Sequence, residues 1–101
     1  MKLILDDKWQ FPDNNSYNCV RTYGDCVLLM SVFKKFTFVS LDYDLGEDKT
    51  GYDVLVYMAE NNIEAEHINI HSDHEIGVPK MKAYVNEHFP NIKVTTNSLW
   101  F

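Results

Sequence analysis

Short apolar runs that end in acid alternate along this chain with stretches of helical period. Lys2 to Leu5, closing on Asp6-Asp7, reads as a buried strand, and Pro12, Asp13, Asn14 and Asn15 make Lys8 to Ser16 a loop. Tyr17 to Arg21 predicts a second strand. It runs into Thr22-x-x-Asp25, a capping-box pattern in which each side chain satisfies a free amide at a helix start. The helix follows over Asp25 to Lys35, where Cys26, Leu29, Met30 and Phe33 recur at spacings of three and four. Phe36 to Leu41, aromatic and β-branched, predicts a third strand that discharges into Asp42-Tyr43-Asp44-Leu45-Gly46. Thr50-x-x-Asp53 repeats the capping pattern, and Val54, Leu55 and Met58 carry a second helical stripe that Asn61-Asn62 stops. His67 to His71 is a fourth strand and Ser72 to Gly77 a loop. Pro79 suits the first turn of a third helix, which runs through Met81, Tyr84, Val85 and His88 until Pro90 forbids more. Ile92 to Thr96 supplies a fifth strand.

Strands alternating with helices imply a mostly parallel sheet, and in such sheets ligands bind beyond the carboxyl ends of the strands, where the acids of this chain stand. With 101 residues there is room for one domain around one core. No stretch approaches the roughly 18 to 20 apolar residues of a membrane span, and the apolar run at the N-terminus is too short for a signal peptide, so a soluble cytoplasmic domain is expected. Cys19 and Cys26 lack the spacing of a zinc ribbon or redox motif and are expected to be reduced. The net charge of −6 argues against an extended nucleic-acid surface, which would need Lys and Arg to neutralise phosphates. It leaves a single phosphoester open, because a bound divalent cation reverses the local charge of an acidic site.

Two strands ending in aspartates carry the most information. If they are neighbours, Asp6, Asp7, Asp42 and Asp44 converge on one volume, and hard cations such as magnesium take one or two carboxylates plus waters and substrate phosphate. Turn and cap chemistry is the competing explanation of Asp at strand ends. His67, Asn69 and His71 share one face of the fourth strand. His71, nearest the carboxyl end, is the candidate general acid or base, against a structural role bonding a neighbouring loop; His67 reads as structural. A zinc site of His67, His71 and His74 is excluded, since His67 lies ~13 Å along the strand from His71. Arg21 either contacts a substrate phosphate through its guanidinium fork or pairs with a surplus acid.

Leu5-Asp6-Asp7, Asp42 and Ser72, each at a strand end, resemble the acidic pair, phosphoacceptor aspartate and hydroxyl residue of response-regulator receiver domains. The run Val39 to Asp48, Thr50-Gly51-Tyr52-Asp53-Val54-Leu55, and Ile70-His71-Ser72 with Gly77 resembles more closely the cyclic-phosphate processing receiver-like family, and Val20-Arg21-Thr22 extends the match. The resemblance implies a flavodoxin-like α/β fold with a five-stranded parallel sheet of order 2-1-3-4-5. It also implies a site that handles a phosphoester, with Asp6, Asp7, Asp42 and Asp44 around the metal and Ser72 on the phosphate. The family has His where this chain has Tyr43, and Asn where it has His74, which bears on activity. Signalling receivers carry a lysine at the end of the fifth strand; here the residues are Thr95-Thr96-Asn97, which disfavours phosphorelay.

A full receiver also has helices after its first and last strands, and this chain offers neither, leaving three helices. Lys93, Thr95 and Asn97 alternate with Ile92 and Val94, as in a half-buried strand. Trp9, Phe11 and Trp100 cover the remaining face, or that face pairs with a second copy in a homodimer. Three functions follow as expectations. The first is a magnesium-dependent phosphoesterase acting on a small phosphorylated ligand or cyclic-phosphate end, with Asp42, His71 and Ser72 in catalysis and Arg21 and Ser72 holding substrate. The second is a non-catalytic degenerate receiver that binds another protein. The third is a phosphoaspartate switch at Asp42.

Overall fold

The computed structural model describes residues 1–8 and 17–96. Among the described residues, seven strands and three helices follow in the order β1 (Lys2–Leu5), β2 (Asn18–Val20), α1 (Tyr23–Val32), β3 (Lys35–Phe36), β4 (Phe38–Leu41), α2 (Gly51–Glu60), β5 (Glu64–Ala65), β6 (His67–Ile70), α3 (Gly77–His88) and β7 (Lys93–Thr95). The main sheet is all-parallel, in the order β2-β1-β4-β6-β7. Counted along the chain as its five long strands, this is the expected 2-1-3-4-5 order, a receiver-like α/β arrangement. Among the described residues no helix stands between β1 and β2 or after β7.

Several boundaries differ from the sequence reading. The third strand is broken at Thr37, whose N–H and hydroxyl both turn to the Met1 carbonyl; Lys35-Phe36 then pairs with Glu64-Ala65 as a separate two-stranded ribbon. The first helix starts directly after Thr22, as its capping pattern predicts, Thr22 Oγ1 accepting from Asp25 N at 3.1 Å, but it ends at Val32 and leaves Lys35 to a strand. The third starts at Gly77, at the edge of the expected loop, which places Pro79 in its first turn as expected, with Gly77 N donating to the His74 ring at 2.9 Å. The second cap forms as expected, Asp53 Oδ2 accepting from Thr50 N at 2.8 Å.

The parallel alignment stacks residues of like character in rows across the sheet. Leu3, Val39 and Ile68 form one row and Leu5, Leu41 and Ile70 another, and both join Cys26, Met30, Val54, Leu55, Met58, Met81 and Val85 of the helices in one buried cluster. The row between them faces the opposite way and reads Ile4, Ser40, Asn69, Thr95. Its first three members are no more than 2% exposed. Trp9, Phe11, Asn97 and Trp100, expected at this face, lie outside the described residues. Cys19 and Cys26 are free thiols. Among the described residues no helix is long and apolar enough to cross a membrane.

Candidate functional site

Because β1 and β4 are neighbours, the residues that follow them meet above the carboxyl edge of the sheet. Asp6 leaves β1 with its N–H on the Val20 carbonyl, and Asp42 leaves β4 with its N–H on the Leu5 carbonyl. His71 leaves β6 with its N–H on the Leu41 carbonyl. One ligand atom from each of Asp6, Asp42 and His71 lies within 4.8 Å of the others, a spacing that suits a single cation.

The electrostatics of this group are unbalanced. Burial, reinforced by the neighbouring Asp6 carboxylate, pushes the Asp42 carboxyl up to about 6, against hydrogen bonds from the Ser72 side chain and the Tyr43 backbone that pull it down; Asp7 adds a smaller upward push. His71 donates no charge to offset this. Its side chain is 1% exposed, and although Nε2 stands 3.1 Å from Asp6 Oδ2, burial holds its pKa below the ordinary histidine value. Burial thus favours the neutral imidazole in this contact.

The other candidates are placed around this centre. Asp7, the next residue after Asp6, leans over the β4–α2 loop: a methyl group on Gly46 would lie 3.2 Å from its Oδ2. Asp44 is exposed and shapes that loop, its Oδ1 accepting from Gly46 N at 2.9 Å while its backbone bridges to Thr50. Of the four aspartates, only Asp6 and Asp42 fall within the cation-sized group. Ser72 bonds Asp42 and accepts from His74 N at 3.2 Å. Arg21 is exposed, its guanidinium reaching the Asp7 carbonyl at 3.4 Å. His67 stands apart, Nε2 on Thr95 Oγ1 at 2.8 Å and its ring edge-on to Phe38. Glu47 accepts from Tyr23 N at 3.1 Å and ties the β4–α2 loop to the start of α1.

Tyr43 packs on the segment that leads from β6 into α3. Its ring lies against His74, centroids 4.5 Å apart, and over Gly77, where an added Cβ would meet ring atoms at 2.3 to 2.6 Å. A Gly77→Ala substitution is expected to expel the ring and lower stability by about 1–3 kcal/mol. Removing the ring as well, in a Gly77→Ala/Tyr43→Ala double variant, should recover part of that loss. Thermal melts of the four proteins in a double-mutant cycle check it; strictly additive effects would contradict the packing.

The sequence reading missed Ser40. It is fully buried, with its Oγ 2.7 Å from His71 Nδ1 and accepting from Asn69 Nδ2 at 3.1 Å. The signal was present as the one hydroxyl in the otherwise apolar strand Phe38-Val39-Ser40-Leu41.

An all-parallel sheet in this order, with aspartates gathered beyond its first and third long strands and a hydroxyl residue beyond the fourth, defines a receiver-type domain. Residues 1–87 match the model of the cyclic-phosphate processing receiver domain, and the chain belongs to that family. No curated protein and no solved structure matches the chain.

Proposed function

We propose that the protein binds a divalent cation, magnesium by preference, at Asp6 and Asp42 and processes a small phosphoester of the cyclic-phosphate class. The observation that carries this reading is the pair of converging carboxylates, in which burial and then the neighbouring Asp6 charge raise Asp42 to about 6. An oxygen donor set of this kind fits a hard cation that keeps several waters and takes a substrate phosphate. When bound, the ion supplies charge for a phosphoryl oxygen and lowers the pKa of a water. Ser72, hydrogen-bonded to Asp42, turns its hydroxyl to a phosphoryl oxygen, and Arg21 offers its guanidinium at the rim. Water adds to phosphorus, one ester P–O bond of the ring breaks, and the released alkoxide takes the proton. The family assignment supports the substrate class.

Incubation with 2′,3′-cyclic nucleotides should give magnesium-dependent ring opening that falls by about two orders of magnitude or more in Asp42→Asn. Turnover that is equal in the variant, or indifferent to magnesium, counts against the proposal. Tyr43, packed on His74 where the family resemblance leads one to expect an imidazole, favours a second reading, a binding domain without catalysis. That reading gains if magnesium binds and no cyclic phosphate is opened.

A further inference from the structure

Behind the carboxylates, a chain of hydrogen bonds crosses the sheet between β7 and β1. His67 Nε2 meets Thr95 Oγ1 at 2.8 Å, Thr95 Oγ1 meets Asn69 Oδ1 at 2.5 Å, and Asn69 Nδ2 meets Ser40 Oγ at 3.1 Å. Ser40 Oγ meets His71 Nδ1 at 2.7 Å, and His71 Nε2 meets Asp6 Oδ2 at 3.1 Å. The donors in this chain can be assigned one after another. A 2.5 Å contact has the length of an O–H···O bond, so Thr95 spends its one hydroxyl proton on the Asn69 carbonyl oxygen. Asn69 then turns its amide N–H to Ser40. Ser40 is fully buried, and with Asn69 already donating to its oxygen, the acceptor for its own proton is His71 Nδ1. Leaving that proton unpaired would incur the desolvation penalty of a buried hydroxyl. His71 therefore carries its proton on Nε2, aimed at Asp6. At the far end, His67 donates to Thr95 by the same logic. Every donor in the chain points towards Asp6.

We infer that Ser40 and Asn69 are positioning residues: they hold His71 in the Nε2–H tautomer, so that it orients the Asp6 carboxylate as a neutral donor and is withheld from the metal and from proton transfer. The role for the ion rests on the function proposed above; the tautomer does not. The sequence pattern made His71 a proton carrier and its distances make it a candidate ligand. Coordination and general-base catalysis both need the Nε2 lone pair, which this arrangement removes, and general-acid catalysis needs a second ring proton on Nδ1, the atom that accepts from Ser40. Coordination would require the proton on Nδ1, facing a Ser40 oxygen that already accepts from Asn69 while its own proton loses its acceptor.

The test is histidine-side-chain ¹⁵N NMR on the full chain, which distinguishes protonated from unprotonated ring nitrogens. Metal-free protein at neutral pH is expected to show His71 neutral, with hydrogen on Nε2 and an Nδ1 signal displaced by hydrogen bonding. Hydrogen on Nδ1, or on both nitrogens, would overturn the inference. Ser40→Ala should move the Nδ1 signal to that of an unbonded nitrogen and weaken magnesium binding by about tenfold, with Ser40→Thr restoring both. An unaltered Nδ1 signal in Ser40→Ala would remove Ser40 from the role. Saturating magnesium should leave the tautomer unchanged, whereas a switch to Nδ1–H would make His71 a ligand and sink the idea. If magnesium fails to bind the wild-type protein at all, the proposed function fails and the metal-free spectra alone decide the tautomer.

Discussion

Replacing Asp42 with asparagine is expected to make the metal-free protein more stable at neutral pH, although the residue stands at the centre of the site. The folded state raises this carboxyl from 3.8 to about 6, so it binds the proton more tightly than the unfolded chain does. Stability linked to this group is therefore fullest below the ordinary aspartate range, declines as pH rises towards 6, and is flat above that. A shift of about two units would correspond to about 3 kcal/mol for a fully enclosed group; Asp42 is half-buried, and solvent screening reduces the expected gain from Asp42→Asn to about 1 kcal/mol. The amide keeps an oxygen for the Ser72 and Tyr43 donors and removes the repulsion from Asp6. Magnesium should reverse the order. At a hundredfold excess over its dissociation constant an ion stabilises the wild type by about 2.7 kcal/mol, and the variant, lacking the charge, should respond little. Melting curves at pH 4, 6 and 8 with and without magnesium should thus cross: the variant ahead at pH 8 without the ion, the wild type ahead with it, and no difference near pH 4 without it. A wild type indifferent to magnesium would remove the metal from the proposed function.

Gly51→Ala should be the most damaging single methyl group that can be added near the site. Gly51 opens α2 and donates its N–H to the Tyr43 carbonyl at 2.9 Å. A Cβ there would stand 2.0 Å from the Asp42 carbonyl oxygen and 2.9 Å from Met81 Cε. Met81 can yield, but the Asp42 carbonyl belongs to the backbone that aims the carboxylate. Helix propensity favours alanine by about 1 kcal/mol, and the overlap outweighs it. The expected loss is about 3 kcal/mol, at the upper end for overpacking, and on the order of 15 °C in melting temperature for a domain of this size. Gly24→Ala is the control. Its nearest atom would be Thr22 Oγ1 at 4.0 Å, so there the propensity gain of about 0.5–1 kcal/mol should appear unopposed. Equal behaviour of the two variants in denaturant titrations would mean that the close approach of α2 to β4 is not a constraint.

Most of the architecture could be read from the chain because its parallel strands are apolar runs with abrupt acidic ends, and because Thr22 and Thr50 announce the helices that follow them. What escaped was short or depended on a partner. Lys35-Phe36 and Glu64-Ala65 are two residues each, too few to show a period, and each is a strand only by virtue of the other. The break at Thr37 depends on the Met1 carbonyl, remote in sequence. At the site, strand-end position brought Asp6 and Asp42 together, since neighbouring parallel strands must deliver their next residues to the same place. Asp7 and Asp44 share the composition and not the direction: successive residues leaving a strand turn opposite ways, and Asp44 satisfies the amide of its own loop at Gly46. Spacing marked His71 by its nearness to the edge, but its tautomer depends on Ser40 and Asn69, whose significance appears only once β4 and β6 are side by side.

The polar row also bears on how the chain chooses among alternative pairings. Parallel strands made of Leu, Ile and Val on one face tolerate sliding, because one branched aliphatic side chain fills another's place with little loss. Here Ser40, Asn69 and Thr95 have one partner set each, contributed by three different strands and aligned by the same backbone pairing. A slip of one residue in β4 or β6 would turn its polar side chain into the helix-packed layer and strand the remaining donors and acceptors, at about 1–3 kcal/mol for each buried group. The chain that orients Asp6 thereby acts as a ratchet on strand alignment, so that a misregistered sheet is penalised in the same row of atoms that prepares the site.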